Sequence, residues 1–343
     1  MTTSTARRSF VAASAIAALA LAACGRPGGH VSSGAKEIKF SVLSTENSQS
    51  MEAYWKPILA DLSAQTGLKV TPYFSTNYTL LVEAMKAHQT DAGWFSNRSG
   101  LEAVRRGGGE IFARTFGPKG VDGYRSVLIV NAKSRLDLAK VLKCDKSLTF
   151  GLGDVLSTSG TLAPMTYFFA PHDIDPQTCF KQVRSGASHQ TNLFAVAKGQ
   201  LDVATNNSTS LLLNREAGGA EADEVRVIWE SPLLPEDPIV WRKDLDPAVK
   251  EKLRQFFLTY GRGNTPQAAK QRGYMAKVNV GGFKPADDNH LLPVREMEAT
   301  DLWLQAKRAG DPAKIAKAKA GLDAITAQRV ALEGRTRAPA AAQ

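Results

Sequence analysis

The feature that most constrains this chain is a repeated alternation. Short apolar runs are each followed at once by a polar cluster, and each cluster opens a helical pattern. Runs at 37–44, 68–74 and 91–95 are followed in turn by helical spacing from Met51 to Leu62, from Tyr78 to Met85, and from Ser96 to about Arg106. Strand, helix and strand in that order predict a parallel sheet with helices on its faces. Further strands are predicted at 111–116 and 124–131. A second set of units then begins, with strands at 148–152, 180–185, 201–205 and 225–230. Helices at 136–142, 160–170, 186–197 and 207–216 lie between them. A strand at 239–242 returns the chain to the first set, and the remainder reads as helical, over 247–260, 266–272 and 292–335. One block of α/β units is thus inserted in another, with a cleft expected between the two.

The sharpest single stretch is Gly151-Leu-Gly-Asp-Val-Leu-Ser-Thr-Ser-Gly-Thr-Leu-Ala-Pro164. A strand ends in a glycine-rich turn, and Ser157, Thr158 and Ser159 stand where a helix begins. One hydroxyl at such a position caps free N–H groups. Three, beside the positive end of a helix dipole, make a socket for an anion. This window alone does not choose between the two. Other polar groups follow strands in the same way: Tyr78; Phe95 with Ser96 and Asn97; Ser188 to Thr191, including His189; and Asn206 to Thr209. In a parallel sheet these positions share one edge. Taken singly, His189 reads as a cap or surface residue, Tyr78 as packing and Trp94 as core.

The N-terminus predicts export. Arg7 and Arg8 precede a charge-free apolar run from Val11 to Ala22, too short for a permanent span, so residues 1–23 read as a signal peptide. Leu21-Ala22-Ala23-Cys24 resembles the lipobox of bacterial lipoproteins, which implies acylation of Cys24 and a membrane surface address. An ordinary export signal with an incidental cysteine is the alternative. Residues 24–35 read as a flexible tether. Removing residues 1–23, which carry two arginines and no acid, takes the formal charge from +10 to +8. That balance suits an anionic ligand or membrane face. No basic-aromatic run of the kind that binds nucleic acid is present. If Cys24 takes lipid, Cys144 and Cys179 remain as a pair. An oxidising compartment favours a disulfide between them, with two buried thiols as the alternative.

Several blocks together carry a resemblance. Asn77-Tyr-Thr79, Asp91-Ala-Gly-Trp-Phe95, Gly123-Tyr-Arg-Ser126, Ser157-Thr-Ser159, Ser188-His189, Ala204-Thr-Asn-Asn207 and Ser231-Pro-Leu-Leu-Pro-Glu-Asp-Pro238 resemble the solute-binding proteins of phosphonate ABC importers. The resemblance runs in order from about residue 37 to about 260. It implies an α/β, two-lobed periplasmic binding protein (type II, Venus-flytrap) with two parallel-rich sheets and a helical C-terminal extension. The lobes would be 36–125 with 240–343, and 126–239, with hinges near 124–130 and 228–241.

It also implies capture of a phosphonate or related phosphorus oxyanion and delivery to an inner-membrane ABC permease, without catalytic residue, metal or cofactor. By position, Ser157, Thr158, Ser159 and His189 would bind the phosphonate oxygens with help from Tyr78, and Asp237 would meet the substituent. Asn206 and Thr209 fall in the same set. Two departures stand out. Phe95 occupies a place where the family often has tyrosine. Ser208-Thr209-Ser210 lacks the glutamate with which aminoalkyl-binding members hold an ammonium. The second departure points toward methylphosphonate or phosphite rather than 2-aminoethylphosphonate. Binding of another oxyanion is an alternative. A periplasmic phosphoester hydrolase is a more distant one, because no Gly-x-Ser-x-Gly elbow or metal-ligand spacing accompanies Ser159 and His189.

Overall fold

A computed structural model describes residues 37–46 and 48–337; the signal peptide, Cys24 and the tether lie outside them. The elements run β1 (Glu37–Leu43), α1 (Ser48–Thr66), β2 (Lys69–Ser75), α2 (Tyr78–Lys86), β3 (Ala92–Trp94), α3 (Asn97–Arg106) and β4 (Gly109–Phe116). Then come β5 (Ser126–Asn131), α4 (Leu138–Leu142), β6 (Thr149–Gly153), α5 (Pro176–Cys179), β7 (Gln182–Ala187), α6 (His189–Ala197), β8 (Val203–Asn207), α7 (Ser208–Glu216) and β9 (Val225–Glu230). The chain ends through β10 (Pro238–Arg242), α8 (Pro247–Thr259), α9 (Pro266–Ala276), β11 (Gly282–Pro285), α10 (Leu292–Ala309) and α11 (Pro312–Arg337). None of these helices is long and apolar enough to cross a membrane.

The strands form two sheets, ordered β11-β4-β10-β3-β1-β2 and β7-β6-β8-β5-β9. Strands linked by helices pair in parallel: β1 with β2 and β3, and β6 with β7 and β8. The strands that carry the chain between sheets pair antiparallel, β5 with β8 and β9, and β10 with β3 and β4. Each sheet is therefore mixed, which is the ordinary consequence of inserting one β/α block into another. Large side chains fill the first lobe. Phe40, Trp55, Phe112, Trp241 and Phe257 are fully buried, and Phe112 stacks on Trp241 at 3.9 Å between ring centroids. In the second lobe Phe150, Phe168, Phe169 and Phe180 pack on one face of the sheet.

The two connections between lobes run side by side. Tyr124 and Leu234 exchange backbone hydrogen bonds at 3.1 and 2.8 Å, and Ser231 N–H donates to Ser126 C=O at 2.9 Å. Gly123 is required here, because a Cβ would lie 2.4 Å from Leu234 O. The lobes are closed on each other. Ser96 Oγ donates to Leu156 C=O at 3.1 Å, Arg98 N–H to Thr158 Oγ1 at 2.9 Å, and His189 N–H to Thr45 C=O at 3.2 Å.

Three expectations change. The segment after Ser157 is wound as π-helical turns, Thr158–Leu162 and Met165–Phe169, rather than as a regular helix over 160–170. Pro164 has no N–H to give to Gly160 C=O, and that carbonyl accepts from Thr205 Oγ1 at 2.8 Å instead. A strand unforeseen in the sequence, β11, pairs with β4 at the sheet edge, the position where its Pro285 is tolerated. The long helix expected over 292–335 is two helices. Gly310, at φ 72°, closes α10 and Pro312 opens α11.

Cys144 and Cys179 are joined in a disulfide 35 residues apart in sequence. It ties the end of α4 to the end of α5 beside Phe180. Closing a loop of that size adds about 3–4 kcal/mol on the chain-entropy model. Alkylation of the denatured, unreduced protein should leave both cysteines unlabelled. The C144S/C179S variant should lose that much unfolding free energy and show a correspondingly lower denaturant midpoint. Labelling of both would contradict the bond.

Candidate functional site

A cleft between the lobes gathers polar side chains from strand ends and helix starts. From the second lobe come Ser157, Ser159, His189, Asn207, Thr209 and Ser210. From the first come Thr45, Glu46, Tyr78, Trp94, Ser96 and Thr115, and from the connecting segments Tyr124, Glu236 and Asp237.

The second-lobe wall is a chain of hydrogen bonds. Ser157 caps its helical turn by accepting from Gly160 N–H at 2.9 Å. Ser159 Oγ lies 3.2 Å from His189 Nε2 and accepts from Asn207 Nδ2 at 3.3 Å. Asn207 Oδ1 in turn caps α7 through Ser210 N–H at 2.7 Å. These side chains therefore hold one another in place. Two further hydroxyls border this wall: Tyr78 interacts with Ser157, and Tyr124 with Ser159 and Asp237. Ser157 serves at once as a cap and as part of the cleft wall, so the two readings of that stretch are not exclusive.

Not every expected residue reaches the cleft. Phe95 is fully buried in the first-lobe core, while its neighbours Trp94 and Ser96 face the cleft. Side chains alternate along an extended segment, and the phase selects Trp94, read from sequence as core, over Phe95. Thr158 is buried with its hydroxyl turned to Arg98 N–H, where it fastens one lobe to the other. Asn206 is turned away by the same alternation along β8. It donates to His189 C=O at 2.9 Å and accepts from Asn207 N–H at 2.8 Å, so it fixes the backbone behind the wall, and Asn207 takes its place. Tyr78, Ser157, Ser159, His189, Thr209 and Asp237 all line the cleft.

Among the described residues the lining contains no lysine or arginine. Its donors are hydroxyls, an imidazole, an amide and the N–H groups of helix starts, which lack intrahelical acceptors. Burial lowers the His189 imidazole to about 4, so it is neutral at ordinary pH and offers a hydrogen bond without a charge. Three carboxyl groups face these donors. Burial lifts Glu46 to about 7 against a hydrogen bond from Ser210 Oγ at 3.1 Å. Burial likewise lifts Glu236 to about 7 against its bond from Thr115. Asp237 is held well above the carboxylate range by burial and by neighbouring Glu236, although Asn97 Nδ2 donates to it at 3.0 Å. Sequence reading missed Glu46, Tyr124 and Glu236. Glu46 sits in a polar loop after β1 with no motif around it, and Glu236 shares a Pro-rich segment with Asp237. Among the described residues no group of three or more His, Cys, Asp and Glu could hold a metal ion.

The raised carboxyls carry a pH dependence. In the unfolded chain a glutamate ionises near about 4.3. The folded state therefore binds more protons than the unfolded state up to the folded pKa, and the associated stability is lost as pH rises through it. Between about pH 6.5 and 8 His189 is neutral in the folded protein and these carboxyls ionise. The unfolding temperature should fall by a few degrees across that range, and E46Q/E236Q should flatten the fall. An unchanged slope in the double variant would contradict the assignment.

Comparison with known proteins agrees with this architecture. Residues 40–291 match the family model described as ABC transporter, phosphonate, periplasmic substrate-binding protein. The chain is 38% identical over 269 residues to the phosphonates-binding periplasmic protein of Escherichia coli, covering 78% of each. It is 38% identical, with a TM-score of 0.78, to the crystal structure of a binding-protein component of an ABC phosphonate transporter from Pseudomonas aeruginosa, covering 88% of this chain and 98% of that one. A Prochlorococcus marinus protein in complex with methylphosphonate shares the fold, at 20% identity and a TM-score of 0.67, over 76% of this chain and 97% of that one. With the family model spanning most of its length and its two-lobed fold matched over 88% of it, this chain belongs to the periplasmic substrate-binding proteins of phosphonate ABC transporters.

Proposed function

We propose that the cleft captures a phosphonate or closely related phosphorus oxyanion, and that Ser157, Ser159 and His189 from one lobe and Tyr78 from the other hold its oxygens. The observation that carries this reading is the ordered donor wall around Ser159, set between a helix start and the neutral His189, with no lysine or arginine in the lining among the described residues. A tetrahedral oxyanion presents several acceptors, and a fixed array of neutral donors can meet them without a full counter-charge. Thr209 and Asp237 face the substituent end. The name of the Escherichia coli relative and the methylphosphonate complex of the Prochlorococcus marinus protein support the same ligand class.

In this reading residues 36–125 with 240–343 move against 126–239 about the paired segments at Tyr124 and Leu234, and ligand contacts divided between the lobes favour closure. Residues 1–23 direct export, Cys24 carries lipid, and residues 24–35 tether the closed, loaded protein near an inner-membrane permease. Phosphite and phosphate offer the same oxyanion chemistry and differ at the substituent.

Calorimetric titration of methylphosphonate, phosphite and phosphate separates these ligands. The S157A/S159A variant should lose at least about 100-fold in affinity, on the scale of two hydrogen bonds to a charged group, while its circular dichroism is unchanged. Retained affinity would refute the assignment. Turnover of a chromogenic phosphoester by purified protein would favour an enzyme. Small-angle scattering should show compaction on addition of the tightest binder.

A further inference from the structure

Outside the cleft, one helix is fastened to both lobes. Helix α10 begins just past residue 291, where the match to the family model ends. On the first-lobe side the chain enters it from β11, which pairs with β4. Asp288 Oδ1 accepts from Ile111 N–H at 2.9 Å just before the helix starts. Glu298 on α10 then meets two guanidinium groups of α3, Arg105 at 2.7 Å and Arg98 at 3.7 Å. On the second-lobe side α10 meets the back of the turns that begin at Ser157. Thr166 Oγ1 donates to Met297 C=O at 3.2 Å, and both residues are buried. Leu162 and Ala163, between the donor wall and Thr166, are buried in one apolar cluster with Val294 and Met297. About three turns further along α10, Arg308 Nε donates to Asp173 Oδ1 at 2.9 Å.

One helix cannot stay fastened to both lobes when they part, so one of its two seams opens. The first-lobe seam is anchored by the chain itself, by the sheet and by an ion pair whose Arg98 and Glu298 side chains are only 20% and 16% exposed. The second-lobe seam holds by one hydroxyl bond, an apolar contact and an ion pair whose Asp173 side chain is 81% exposed. Exposed pairs and single hydrogen bonds are the weaker kind of tie. We propose that α10 is an outer latch, which travels with the first lobe and on closure docks Met297 and Arg308 against Thr166 and Asp173 of the second. The proposal rests on the oxyanion reading and the closure given above, and adds to them a contact outside the cleft. The closed form gains these bonds and the open form lacks them, so the latch raises affinity without touching the ligand. Thr166 is thus a positioning residue, acting through the turns that carry Ser157 and Ser159.

The test uses whichever of methylphosphonate, phosphite and phosphate the wild-type protein binds tightest. T166V keeps the shape of the side chain and removes the donor. Its affinity should fall about 3- to 10-fold, the range of one hydrogen bond. R308A added to it should cost a further factor of up to about 5, the range of an exposed ion pair. Stopped-flow mixing should place the loss in faster dissociation, with association unchanged. The unfolding temperature of the ligand-free variants should match that of the wild type. A lowered ligand-free unfolding temperature would mark the contacts as permanent, and unchanged affinity in T166V/R308A would mark them as idle. Either would overturn the latch and leave the oxyanion site standing. Binding of none of the three anions by the wild type would instead bring down the oxyanion reading, and this inference with it. Should T166V fail to fold, R308A alone carries the same test, with a loss of about 2- to 5-fold.

Discussion

The binding wall depends on the close approach of two glycines. A Cβ on Gly153 would lie 2.8 Å from Gly160 Cα, so the end of β6 and the turn that follows are in backbone contact. That contact folds the hydroxyl-bearing turn back over the strand. Pro164 and Thr205 complete the effect. The proline withholds an N–H from Gly160 C=O, and the threonine supplies the bond from β8, which widens the turn into a π-helical one. Ser126 Oγ then pins Ser159 C=O at 2.6 Å. Strand β6, strand β8, the crossing strand β5 and the turn are thus locked together, and Ser157 and Ser159 are left facing the other lobe. A side chain at either glycine would part these elements.

Charge is distributed in the opposite sense to what net composition suggests. The full sequence carries a formal +10, yet among the described residues no lysine or arginine lines the cleft. Inside are neutral donors on one wall and carboxyl groups on the other. An oxyanion held by neutral dipoles avoids the cost of desolvating a lysine or arginine on each opening and closing. The basic surface is left to act at longer range, by drawing anions toward the protein.

The order of elements could be read from the sequence because each strand is followed at once by its helix-opening cluster. The same pattern marked Tyr78, Ser157, Ser159 and His189. The misreadings share a physical origin. Choosing Phe95 over Trp94, and Asn206 over Asn207, is an error of one residue in the phase of an extended segment, which sequence spacing does not fix when both neighbours are polar or both aromatic. Thr158 was one hydroxyl among three, and only the packing of α3 decides which of them turns to the other lobe. Glu46 and Glu236 gave no local signal, because their role comes from tertiary closure. Gly310 and Pro312 did signal a break between helices, but the alanine- and lysine-rich pattern continues across them. Residues 1–36 lie outside the described structure, so the export and lipid-anchor readings rest on sequence.

The account turns on where the phosphorus oxygens sit. A crystal structure of the protein with a bound phosphonate would test it most directly. The account predicts oxygens within hydrogen-bond distance of the Ser157 and Ser159 hydroxyls, His189 and Tyr78, with the substituent directed toward Thr209 and Asp237. A phosphonate bound instead at the surface pocket between Arg114, His290 and Arg329, with the interlobe cleft unoccupied, would contradict it.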